Sequence, residues 1–134
     1  DSHKKLPVVK DNLKKLYSND FFAFKNLNSH FAMTAHVLYK NIDSKFVATQ
    51  SNKILKTIIR KKLKFNGLII SDDISMKALS KNLVLNAKIA LQAGCNLVLH
   101  CNGKINETSK LLKSLNKLDS FTKKKTHQFY EFLR

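Results

Sequence analysis

Three short apolar segments spaced about 30 residues apart, with amphipathic helical stripes between them, predict an α/β fold with a parallel sheet. The segments are Phe31–Ala35, Gly67–Ser71 and Asn96–His100. Each is close to continuously apolar rather than alternating, the pattern of strands covered on both faces. Their starts at residues 31, 67 and 96 match the roughly 30-residue length of a βαβ unit. The middle of the chain therefore reads β-α-β-α-β-α.

The first thirty residues are less regular. Leu6-Pro7 is extended, because the residue before proline avoids the helical region. Lys10 to Tyr17 can form one short helix. Asp20 can cap a second, with Phe21, Phe22, Phe24 and Leu27 as its apolar side. After the first strand, Ser51 is a suitable N-cap. Ile54, Leu55, Ile58, Ile59 and Leu63 follow it as a stripe at helical spacing, and Asn66-Gly67 closes the connection. After the second strand, Leu83, Ala87, Ala90 and Leu91 make another stripe, and Gly94 sits where a helix-ending glycine belongs. Leu111, Leu112 and Leu115 mark a third helix. Phe121 to Arg134 reads as either a basic helix or a frayed tail.

Composition narrows the function classes. The chain has 134 residues, 43% of them hydrophobic, enough for a core and about one domain. No apolar run approaches the roughly 20 residues that cross a bilayer, so no membrane association is expected. No apolar segment stands behind the charged N-terminus as in a signal peptide. Lys and Arg number 25 against 9 Asp and Glu, a net charge of +16. Such a balance raises the alternative of a basic nucleic-acid-binding protein. Against it, only Arg60 and Arg134 are arginines, the residue suited to bidentate phosphate and guanine contacts. The lysines are also scattered, as on solvated helix faces, so no specific nucleic acid is expected. Cys95 and Cys101 bracket the third strand, too far apart to bridge within it. No Cys-x-x-Cys pair suggests zinc, and neither a metal nor another cofactor is expected. Two reduced thiols fit a cytoplasmic protein.

Polar residues collect where the strands end. The first ends in Thr34-Ala35-His36, the second in Ser71-Asp72-Asp73, the third in His100-Cys101-Asn102-Gly103. In parallel α/β folds, ligands bind at the carboxyl ends of strands. Adjacent carboxylates repel, so one of the Asp pair should face a site and the other take a local partner. Asp73 can cap the turn from Ile74 to Leu79.

Gly67-Leu68-Ile69-Ile70-Ser71-Asp72-Asp73-Ile74-Ser75-Met76 resembles the nucleophile motif of the bacterial β-N-acetylhexosaminidases of glycoside hydrolase family 3. Met33-Thr34-Ala35-His36-Val37 resembles the preceding strand of those proteins. Ala93 to Gly103 resembles their last strand, and Asp1-Ser2-His3-Lys4-Lys5-Leu6-Pro7-Val8-Val9 their mobile catalytic loop. The resemblance implies Asp72 as nucleophile, His3 as acid/base and Asp1 as its orienting carboxylate. It implies His36 and Met33 as substrate-side residues. The substrate it implies is a saccharide with terminal β-linked N-acetylglucosamine, including muropeptides of peptidoglycan turnover. The family-3 β-glucosidases are a poorer match, since they carry Trp after the nucleophile and this chain has no Trp. The family's Lys-His-Phe-Pro-Gly-His-Gly segment has no counterpart here. A (β/α)8 barrel needs about 250 residues. Residues 1–118 therefore read as the C-terminal portion of such a barrel, about its last three β/α units. Residues 119–134 stay unassigned, and an N-terminal barrel half is the expected partner. An inactive remnant of the hydrolase is the remaining alternative.

Overall fold

The structure is a computed structural model that describes residues 5–79 and 81–134. Strand β1 (Val8–Val9) leads to α1 (Leu13–Ser18), a 3-10 turn (Phe22–Phe24), β2 (Phe31–Met33) and β3 (Leu38–Tyr39). A second 3-10 turn (Ala48–Gln50) precedes a π-helix (Lys53–Lys62). Then come β4 (Leu68–Asp73), α2 (Leu83–Ala93), β5 (Leu97–Leu99), α3 (Ile105–Ser114) and α4 (Ser120–Phe132). Strands β2, β4 and β5 form a parallel sheet with β4 in the centre. The α/β class and the three expected strands are thus present. Strands β1 and β3 pair in a separate parallel ladder that the sequence did not announce; two residues each are too few to show a period.

The central layer forms where the π-helix and α2 cover β4. Leu55, Phe65, Ile69, Ala90, Ala93 and Cys95 make one buried cluster. Leu55, Ile69 and Ala90 are fully buried, and burying a Leu or Ile side chain stabilises by about 1.5 to 3 kcal/mol. Gly94 ends α2 at φ +129, and a Cβ there would also approach Leu55 Cβ to 3.3 Å. Gly67 is required for space, since its Cβ would meet the Ser29 carbonyl at 2.4 Å.

The expected Ser51 helix is present but wound as a π-helix. Ser51 Oγ accepts the Ile54 amide at 3.2 Å, and the Leu63 amide reaches back five residues to Ile58 at 2.9 Å. Ile54, Leu55 and Ile58 are buried on its inner face. The first segment departs further from expectation. Helix α1 starts at Leu13, because Asn12 Oδ1 accepts the Lys15 amide at 2.8 Å. Asp20 caps nothing; residues 22–24 make a single 3-10 turn without a side-chain cap. Phe21 alone is buried, its ring edge-on to Tyr17 and Tyr39 at 5.5 and 5.8 Å. Phe22 and Phe24 point outward, 69% and 59% exposed.

Residues 120–132 form a helix that docks on the sheet's amino end. Asp119 Oδ1 caps it from the Thr122 amide at 2.6 Å. Asn96 Nδ2 donates to the buried Thr122 hydroxyl at 3.0 Å, and Phe129 meets Phe31 edge-on at 4.7 Å. Every described lysine is exposed except the half-buried Lys125. Among the described residues no helix is long and apolar enough to cross a membrane.

Candidate active site

The site is built at the carboxyl end of β4, where the ladder to β5 is irregular. Ile70 pairs with Leu97 but Asp73 pairs with Leu99, so β4 carries one extra residue. The buried Ser71 fills the gap: its Oγ accepts the Leu99 amide at 3.0 Å, while the Ile74 amide binds the Leu99 carbonyl at 2.9 Å. Bulges of this kind re-aim the side chains that follow.

The two carboxylates end in different surroundings. Asp72 is half-buried, and its Oδ1 accepts the Asp73 amide at 2.8 Å. Asp73 is bound into the turn as expected: Oδ2 accepts the Ser75 hydroxyl at 2.7 Å and Oδ1 the Ser75 amide at 3.0 Å. Asp73 Oδ1 also accepts the Cys101 amide at 3.3 Å, which joins β4 to the loop after β5. Burial pushes the Asp73 pKa up, but these hydrogen bonds and the nearby His100 outweigh it. Asp73 is held below the usual carboxylate range.

His36 stands behind the carboxylates, against the backbone of Asp73. It is fully buried. Nε2 lies 2.9 Å from the Asp73 carbonyl and Nδ1 2.9 Å from Thr49 Oγ1. A carbonyl only accepts, so Nε2 carries a proton. The Thr49 hydroxyl beside Nδ1 also lies 2.9 Å from the Thr34 hydroxyl and 3.2 Å from the Ala35 carbonyl. The imidazole thus links the β2 end, the 48–50 turn and the backbone of Asp73. Met33 is 60% exposed. It lines an apolar cleft of about 500 Å³ with Phe31, Phe24, Tyr39 and Ile58, and Asp72 is not part of that cleft. His3 and Asp1 lie outside the described residues.

Sequence reasoning placed Thr34 and Ser71 at strand ends without a role for either hydroxyl, and it missed Thr49, since a hydroxyl beside apolar residues carries no pattern of its own. It also missed Arg60. Arg60 donates to the carbonyls of Phe65 and Gly67 at 3.0 and 2.6 Å, and to Asn96 Oδ1 at 2.6 Å. Both cysteines are free; Cys95 is buried, and burial pushes its thiol up to about 12. Among the described residues no three His, Cys, Asp or Glu side chains form a metal-holding group.

A parallel α/β layer with a half-buried carboxylate at a strand end defines a class of proteins that act on ligands at the carboxyl edge of the sheet. Comparison with known proteins identifies the family: residues 1–129 match the glycosyl hydrolase family 3 N-terminal domain, and the chain belongs to that family. It is 42% identical over 108 residues to a β-hexosaminidase of Haemophilus influenzae, covering 76% of this chain and 30% of that protein. A Shewanella frigidimarina β-hexosaminidase is 40% identical over 111 residues, with 78% of this chain and 32% of the relative covered. Native NagZ from Neisseria gonorrhoeae superposes with a TM-score of 0.77 at 30% identity, over 95% of this chain and 37% of NagZ. The same NagZ is also known in complex with N-trifluoroacetyl-D-glucosamine. The chain thus spans about a third of the length of the relatives it matches.

Proposed function

We propose that this chain carries the nucleophile-bearing part of a retaining β-N-acetylhexosaminidase, the last three β/α units or so of a (β/α)8 barrel. The observation that carries the reading is the division of labour at the end of β4. Asp73 is consumed by the turn, whereas Asp72 keeps a half-exposed carboxylate at the ligand edge of the sheet. Asp72 attacks the anomeric carbon, and the glycosyl ester so formed is hydrolysed by water with overall retention. His3 protonates the leaving oxygen and then activates the water, with Asp1 orienting its ring. His36 positions Asp72 through the backbone of Asp73, and Met33 lies on the substrate side at the end of β2.

The substrate is a saccharide with terminal β-linked N-acetylglucosamine, such as a muropeptide released in cell-wall turnover. Relatives named β-hexosaminidase and a neighbour seen with an N-acylglucosamine support this choice. The remaining barrel strands, with the groups that grip the sugar hydroxyls, come from sequence outside these residues. Asp, His and water suffice for the reaction, without metal or organic cofactor. The two free thiols fit a reducing cytoplasm.

The decisive experiment rebuilds the complete barrel and assays an aryl β-N-acetylglucosaminide. Asp72→Ala should lower kcat/KM by about a thousandfold or more, as loss of a nucleophile does. Asp73→Ala should lose far less. A dead Asp73→Ala beside an active Asp72→Ala would move the nucleophile by one residue and refute the assignment.

A further inference from the structure

The junction between β5 and α3 holds a histidine whose surroundings do not suit a neutral ring. The His100 side chain is 8% exposed, and neither ring nitrogen has a hydrogen-bond partner among the described residues. Nδ1 lies 4.0 Å from Asp73 Oδ1, and Nε2 lies 3.4 Å from Glu107 Oε2. Both neighbours are carboxylate oxygens, which only accept. A neutral imidazole offers one N–H and one lone pair, so in either tautomer its lone pair faces a carboxylate. An imidazolium offers two donors, one for each side. A small closing movement would turn both approaches into charge-assisted hydrogen bonds.

We propose that His100 is a positioning residue whose imidazolium bridges Asp73 to Glu107, holding residues 101–104 against the Asp72–Asp73 turn. The other end of that loop is already tied: Asn102 Nδ2 and Lys104 Nζ reach Glu107 at 2.5 and 3.4 Å. The charged groups around the ring come from every element near it. Strand β4 gives Asp73 and the adjacent Asp72. The loop gives Cys101, whose thiol is pushed up by burial and by the charges of Asp73 and Asp72. Helix α3 gives Glu107, with Lys104 bound to its far side. The groups facing the ring directly are therefore the two carboxylates. When the ring loses its proton, a lone pair replaces one donor and the bridge opens. Asp73 and Glu107 are both held below the usual carboxylate range, Glu107 chiefly by Asn102. Neither carboxylate should therefore titrate between mildly acidic and mildly alkaline pH.

The bridge itself does not depend on the glycosidase reading; only its effect on turnover through Asp72 rests on it. The first test is amide exchange by mass spectrometry on the full chain, over the peptide spanning residues 100–107 and corrected for intrinsic rate. Protection should be severalfold greater at about pH 5.5 than at about pH 8, on either side of a histidine's ordinary range. His100→Gln should abolish the difference while keeping His36, which excludes that ring as its source. Glu107→Gln should move the change to lower pH, and it keeps the test decisive where His100→Gln folds poorly. Protection independent of pH in the parent chain, or unchanged pH dependence in both variants, overturns the proposal. The second test is the pH profile of the complete enzyme, where His100→Gln should remove the fall of kcat/KM on the alkaline side attributable to the loop. An unaltered profile overturns the positioning role. Absent hydrolysis with an intact pH-dependent bridge would instead count against the glycosidase reading alone.

Discussion

Asp72 and Asp73 differ in what the bulge lets them reach. Ser71 supplies the acceptor oxygen that a carbonyl would give the Leu99 amide in an unbroken ladder, and the shifted register leaves Asp73 within the turn to Ser75. The depressed pKa of Asp73 has a consequence for stability with a definite sign. A carboxylate with a folded-state pKa below its unfolded value contributes fully above that unfolded value, near 3.9. The contribution fades as pH falls through the folded value. Asp73→Asn should therefore destabilise the complete protein by about 1 to 2 kcal/mol at neutral pH. The gap should narrow in urea titrations as pH falls below that unfolded value. A constant gap would mean that Asn loses packing and not charge-assisted bonds. His3 makes a separate prediction through leaving-group chemistry. Its replacement should slow alkyl or saccharide leaving groups far more than activated aryl ones, because only the former need a proton during cleavage. Asp1→Ala should act in the same direction more weakly. Equal losses on both substrate types would make His3 a sugar-binding residue.

The elements divide into those with a period long enough to read and those without one. β2, β4, β5, α2 and α3 were legible because each carries an apolar run or stripe. β1 and β3, with two residues apiece, leave no such trace; their pairing is decided by tertiary neighbours. The stripe from Ile54 to Leu63 showed which face is buried but not that it winds as a π-helix, since a spacing of four suits both windings. Phe22 and Phe24 misled for a related reason: an aromatic cluster says that burial is wanted, not which ring obtains it. At the site, the Asp pair was legible from its place at a strand end. The His36–Thr49–Thr34 chain was not, because it depends on three segments meeting. Helix α4 illustrates the same dependence, for its anchor lies elsewhere, in Arg60 and Asn96. The Arg60 guanidinium sits over Phe121 at 5.2 Å while bonding two carbonyls and Asn96. A lysine cannot reproduce that planar fork. Arg60→Lys should cost about 2 kcal/mol in chemical denaturation and speed amide exchange in residues 120–132. The chemistry at Asp72, at the opposite end of β4, should be largely spared. Unchanged exchange in α4 would show that Phe129 and Thr122 hold the helix without Arg60.

At the scale of the whole molecule, the described sheet has two edges, β2 and β5, each paired on one side only. Strand edges with free backbone groups template further pairing unless covered. Beside β2 the surface is also apolar: Phe24, Leu27 and Met33 are exposed around a cleft of about 500 Å³. Such a patch favours association. A closed barrel removes both liabilities by making the edges pair with further strands. It also brings in the sugar-gripping groups, and positioning is worth many orders of magnitude in rate, up to about 7 to 11 kcal/mol of barrier. On the proposed reading, Asp72 without them is a nucleophile with no bound substrate to attack. Residues 1–134 alone should therefore be oligomeric or poorly soluble and inactive. Supplying the N-terminal barrel portion of a related family member, in cis or in trans, should yield a discrete species with Asp72-dependent turnover. Size-exclusion chromatography with a fluorogenic N-acetylglucosaminide assay reads both properties at once. A compact monomer that hydrolyses the substrate unaided, and loses this with Asp72→Ala, would show that the 134 residues bind sugar by themselves and that the partial-barrel reading is wrong.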